Sequence, residues 1–144
     1  MDPLLLRLVR GQLRCLELPP LLDLACLHDG LAELCGRSFE VPSAEQVEWG
    51  ACLGLRDGAV ALVHLVRGLT AEVTPGCRRD DPRHGMYVGF SHTHLPDPGS
   101  GRPYLGFSEL DFRATLADGS NVELVCNGPE VYAFVRAADR TQLP

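Results

Sequence analysis

Lysine and isoleucine are both missing from the 144 residues, so all 13 basic side chains are arginine. Codon bias in a GC-rich genome accounts for both gaps. A chain without ε-amines also cannot be acylated or conjugated at lysine. Positive charge is in deficit, with 13 arginines against 19 acidic residues and a formal net charge of −6. That balance argues against nucleic acid and against anionic membrane surfaces as partners, because both need a clustered positive field. No Cys-x-x-Cys pair occurs, and Cys15, Cys26, Cys35, Cys52, Cys77 and Cys126 show no short repeated spacing. They read as small buried hydrophobes in a reducing, cytoplasmic setting rather than as a disulfide or zinc-knuckle frame. No run approaches the roughly 18 apolar residues that a membrane span requires. Asp2 and the arginines at 7, 10 and 14 break up the leading leucines, so no signal peptide is expected.

What is present suits one globular domain: 45% hydrophobic and 22% charged residues on a chain of single-domain length. From Pro3 to Leu18, Arg7, Arg10, Arg14 and Glu17 occupy one side of a helical pattern while Leu5, Leu8, Val9, Leu13 and Leu16 fill the other. Pro19-Pro20 ends it. A second helical pattern runs from Leu21 to Cys35, with Gly36 placed to cap it. These leucine stripes serve as core or as a homodimer contact through the N-terminal helices. The organisation expected is an N-terminal helical segment, 1–36, packed on a domain of 37–144, together forming one structural unit.

Beyond Pro42 the period becomes extended. Val47 to Leu55 and Ala59 to Val66 flank an Asp57-Gly58 turn, a strong hairpin signal. Further strands are expected at 86–92, 122–126 and 131–135, the last two around Asn127-Gly128-Pro129. Residues 68–85 read as a polar surface loop whose Arg78-Arg79 and Asp80-Asp81 neutralise one another, and 95–107 as a flexible Gly/Pro-rich loop. His64, in an apolar strand, reads as a core histidine; His28 and His84 read as exposed. The fold class is α/β: a curved mixed sheet flanked by helices.

The chemistry concentrates in FSHTHLPDPGSGRPYLGFSELDF. His92 and His94 lie two apart on a strand, so both imidazoles share one face and can converge on a metal ion. Ser108 and Asp111 stand downstream in a Ser-x-x-Asp pattern, which is equally a helix capping box. No Pro-Cys-x-x-Cys accompanies a His-x-Glu, which disfavours a zinc deaminase, and neither a Gly-x-Ser-x-Gly nor a phosphate loop is present.

Upstream, VEWGACLG places Glu48 in a short strand followed by small residues and glycine. Glutamate, then His-x-His, then Ser-x-x-Asp, in that order, resembles the JAMM motif of the JAB1/MPN zinc metalloproteases, over roughly Val47 to Val135. Glu40 and Glu45 lack the glycine-bearing context. Two departures are visible: Leu95 intervenes before Pro96, where the family has proline directly after the second histidine, and the gap before Ser108 is longer than usual. The resemblance implies a JAB1/MPN architecture, of the cytidine-deaminase-like kind, as in small single-domain bacterial members. It implies one zinc ion per chain on His92, His94 and Asp111, with Glu48 as general base and Ser108 holding the water or the oxyanion. The implied activity is hydrolysis of a peptide or isopeptide bond at the C-terminal tail of a ubiquitin-like or sulfur-carrier protein of β-grasp fold. Two other readings stay open: a catalytically silent MPN-type scaffold that dimerises, and a general zinc peptidase acting on small peptides.

Overall fold

The computed structural model describes residue 10 and residues 27–77 and 81–136; the first helical pattern, and the dimer contact attached to it, lie outside these residues. The chain forms α1 (His28–Phe39), a hairpin of β1 (Trp49–Arg56) and β2 (Ala59–Arg67), then β3 (Met86–Thr93), α2 (Glu109–Asp118), β4 (Val122–Cys126) and β5 (Val131–Val135). The five strands make one mixed sheet in the order β2-β1-β3-β4-β5. Only β3 and β4 run parallel, joined by the crossover that contains α2. At the β1–β2 turn both Asp57 (φ 51°) and Gly58 (φ 78°) are left-handed, the backbone twist that suits a two-residue hairpin loop.

Leu27 and Leu31 lead α1 onto one sheet face, against Leu53, Leu55, Val88, Val122 and Leu124. Full burial of such side chains contributes roughly 1.5–3 kcal/mol each. The helix does not stop at Gly36 as expected but runs through to Phe39. Its last turn is held by Ser38, whose hydroxyl meets Thr93 Oγ1 at 2.5 Å and donates to the Val47 carbonyl at 3.0 Å. Those contacts outweigh the cost of about 1 kcal/mol that glycine imposes within a helix.

One irregularity decides which face of the sheet carries chemistry. Leu53 pairs with Gly89 and Gly54 with Tyr87, leaving Val88 as an extra residue in β3. Val88 and Gly89 therefore both face α1, and from Phe90 onward the even-numbered side chains point to the opposite face. Glycine is required at 89 because a Cβ there would stand 1.7 Å from the Val122 carbonyl oxygen.

The structure overturns the reading of the four cysteines among the described residues. Cys35 is bonded to Cys126 and Cys52 to Cys77, across sequence separations of 91 and 25. The partners meet only through tertiary packing, so no spacing rule exposes them. The support that unpaired cysteines gave to a cytoplasmic location lapses, since disulfides persist in oxidising surroundings. Two histidines also change places: His84 is buried and His64 is exposed. A bulge at residues 64–65, with His64 at φ 56°, turns this side chain out of the strand's apolar alternation and brings its ring to 4.8 Å from that of His84. Among the described residues no helix is long and apolar enough to cross a membrane.

Candidate metal centre

The site lies on the sheet face opposite α1, at the carboxyl end of β3. His92 is in the strand, and His94 just beyond it continues the ladder through a 2.9 Å bond from its N–H to the Cys126 carbonyl. The β3 bulge and strand alternation aim both rings the same way. Leaving β3, the chain returns at Ser108, which caps α2: its hydroxyl accepts the Asp111 N–H at 3.1 Å, and Asp111 accepts the Ser108 N–H at 2.7 Å. Capping and metal geometry coexist in Asp111. Its Oδ1 lies 3.1 Å from His92 Nε2 and its Oδ2 3.2 Å from His94 Nε2, while the two Nε2 atoms are 3.0 Å apart.

The two ring nitrogens thus converge on the Asp111 carboxylate, each beside a different oxygen, and His92, His94 and Asp111 can hold a metal ion. Tetrahedral bonds of about 2.05 Å put ligand atoms roughly 3.3 Å apart, close to the spacing observed. Two imidazoles and a carboxylate are also a donor set that leaves a coordination position open.

Glu48 precedes β1 and is buried in the same cleft. Its backbone is clamped by paired 2.8 Å bonds, from its N–H to the Leu69 carbonyl and from the Gly68 N–H to its own carbonyl. Thr93 Oγ1 fixes the next residue by accepting the Trp49 N–H at 2.9 Å. The same Thr93 hydroxyl meets Ser38, so the α1 face of the sheet locks the strand ends that present the site. Trp49 itself sits beneath Arg37 of α1, with the guanidinium 4.9 Å from the ring centroid.

Charge at the site follows from burial and proximity. Burial raises the Glu48 carboxyl to about 7, with the nearby Asp111 and Glu72 adding to the rise and His94 opposing it. Burial also disfavours ionised Asp111, but hydrogen bonds from His92 and His94 and from the Ser108 N–H together hold its carboxyl well below the usual carboxylate range. For His94, burial works against protonation, yet the Asp111 hydrogen bond and charge leave its pKa raised.

Two residues that sequence reasoning missed adjoin the centre. Tyr104 sets its ring edge-on to His94, with centroids 4.7 Å apart. Glu123 of β4 is fully buried, its Oε1 3.4 Å from His92 Nδ1 and its Oε2 receiving the Thr115 hydroxyl. Burial raises its carboxyl to about 7, against the Thr115 hydrogen bond. A lone acid inside VELVC was the available signal, because burying a carboxylate in an apolar strand is costly.

The cleft over the centre measures about 1250 Å³, and its lining includes residues 70–77 and, after β3, residues 95–98, Gly101 and Tyr104. Residues 97–105 are exposed as expected, 95, 96, 106 and 107 are half-buried, and the loop carries its own bonding. Asp97 accepts the Gly99 and Ser100 N–H groups, and Asn127 Nδ2 donates to the Tyr104 carbonyl at 2.9 Å. Compared with known protein families and with curated proteins, the chain matches none.

Proposed function

We propose that the chain is a zinc-dependent peptidase or isopeptidase of JAMM type, acting on the C-terminal tail of a ubiquitin-like or sulfur-carrier β-grasp protein. The observation that carries this reading is the convergence of His92, His94 and Asp111 with a buried glutamate, Glu48, in the same cleft. Zinc held by the three side chains would polarise a carbonyl and lower the pKa of water to about 7. The protein's own residues supply the rest. Glu48, with its carboxyl raised to about 7, is matched to taking a proton from water near neutrality and handing it to the leaving amine. Ser108, fixed by its capping bond to Asp111, borders the cleft where an oxyanion would develop.

A slim, extended chain suits a cleft bordered by residues 70–77 and 95–98. At its rim Leu110 is 70% exposed and Tyr104 42%, apolar surface suited to a folded substrate body. The deciding experiment loads the chain with zinc and compares cleavage of a ubiquitin-like fusion with that of its isolated tail peptide. Preference for the fusion, lost in Glu48→Gln, is the expected result. Equal cleavage of both, or activity on unrelated short peptides alone, favours a general peptidase; zinc uptake with no hydrolysis at all favours a silent scaffold.

A further inference from the structure

We infer that Glu123 is a positioning residue of the metal centre: its buried carboxylate takes the Nδ1–H of His92 and so turns the Nε2 lone pair of that ring toward the metal position. The inference rests on the metal-binding part of the proposed function, not on the substrate. Glu123 is 0% exposed in the centre of β4. Its partner across the parallel ladder is Phe90, two residues before His92, so strand alternation places Glu123 and His92 on one face. Oε2 is taken by Thr115 of α2. Oε1 and His92 Nδ1 stand 3.4 Å apart, and neither has a hydrogen-bond partner among the described residues.

A neutral imidazole has one N–H and one lone pair. With the proton on Nδ1, the ring donates to Glu123 and offers Nε2 to a metal. With the proton on Nε2, the N–H points at Asp111 and fills the metal position while the Nδ1 lone pair confronts a Glu123 oxygen, so once a metal takes Asp111 only the Nδ1–H form suits both neighbours. Glu123 therefore selects the metal-competent tautomer and limits rotation of the ring. His94 has no such support: its Nδ1 is also without a hydrogen-bond partner among the described residues, and its ring packs edge-on against Tyr104 and His92. A purely structural role leaves the carboxylate unexplained, since an apolar residue of similar volume would fill the strand without the desolvation cost.

The test uses the full chain and two readouts that do not depend on hydrolysis. Zinc affinity is measured by chelator competition for the wild type, Glu123→Gln and Glu123→Leu, and the His92 Nδ1–H proton by 1H–15N correlation on the zinc-loaded proteins. Glu123→Gln keeps an acceptor oxygen and is expected within about threefold of wild-type affinity, whereas Glu123→Leu falls roughly 10–100-fold. In the wild type the Nδ1–H proton is expected downfield and protected from solvent exchange by its bond to Glu123, and both features are lost in the leucine variant. A wild-type Nδ1–H proton with the shift and exchange of an unbonded imidazole overturns the role whether or not either variant folds. Equal zinc affinity in wild type and Glu123→Leu overturns it while leaving the metal centre intact. A wild-type chain that takes up no zinc overturns the metal centre, and this role with it.

Discussion

Glu48 combines the demands of chemistry with a cost in stability, and the sign of that cost can be worked out. Its folded-state pKa of about 7 exceeds the ordinary value of 4.5, so between those limits the folded chain binds more protons than the unfolded one. Stability of the metal-free protein must then fall as pH rises through the window of about 4.5–7, and Glu123, raised for the same reason, adds to the fall. Asp111 acts in the opposite sense, but its stabilisation is lost only below the ordinary carboxylate range, outside that window. Glu48→Gln is therefore expected to stabilise the metal-free chain at pH 8 by about 1–3 kcal/mol and to change little at pH 4. The same variant should bind zinc and lose hydrolysis by roughly 10³-fold or more, because an amide cannot accept the proton. Denaturant unfolding at the two pH values, beside turnover and metal content, checks all three; near wild-type turnover would move the base elsewhere.

At the scale of elements, the start of α2 joins folding to ligation. Ser108→Ala removes the side-chain cap, at about 1 kcal/mol of stability, but spares the backbone N–H that Asp111 accepts. Zinc affinity should stay within tenfold of wild type, while turnover falls beyond what the lost stability explains; turnover that tracks stability alone would reduce Ser108 to a cap. The loop on the cleft's far side separates differently. Removing residues 97–102 deletes the turn built on Asp97 and leaves Asn127 to hold Tyr104, so zinc should stay bound while rate or substrate preference changes. Equal loss of metal and activity would make the loop structural. Most of these elements are legible in the sequence because their signals are local: period-two alternation, Asp57-Gly58, Ser108 before an apolar helix, and a His-x-His pair that one strand face must hold together. What stays illegible depends on packing between distant segments. Alternation could not anticipate the bulge that turns His64 outward, and nothing near Gly36 reveals that Ser38 would find Thr93 and carry α1 another turn. Glu123 was visible as an acid in an apolar strand, but its role needed the ring of His92 beside it.

Across the whole molecule, the two disulfides brace opposite sides of the site. Cys126 pairs in register with Thr93, between the two histidines, and its bond to Cys35 ties α1 to the sheet behind them. Cys52 is buried in β1, and its bond to Cys77, which lines the cleft, fastens the wall formed by residues 70–77 to β1. Each closes a loop long enough to contribute about 2–4 kcal/mol by restricting the unfolded chain. Their functional effects should differ, because one supports the surface on which the histidines stand and the other holds only the wall beside them. The double variant Cys52→Ala/Cys77→Ala is expected to lose 2–4 kcal/mol, roughly, and to raise KM while zinc affinity stays near wild type. Cys35→Ala/Cys126→Ala is expected to lower zinc affinity as well, since slack at Cys126 reaches His94 through the backbone bond between them. Alanine variants are preferable to chemical reduction, because free thiols are themselves zinc ligands. Thermal unfolding and chelator competition on the two variants measure both effects, and identical losses of zinc affinity would show that the wall and the floor of the site act as one body.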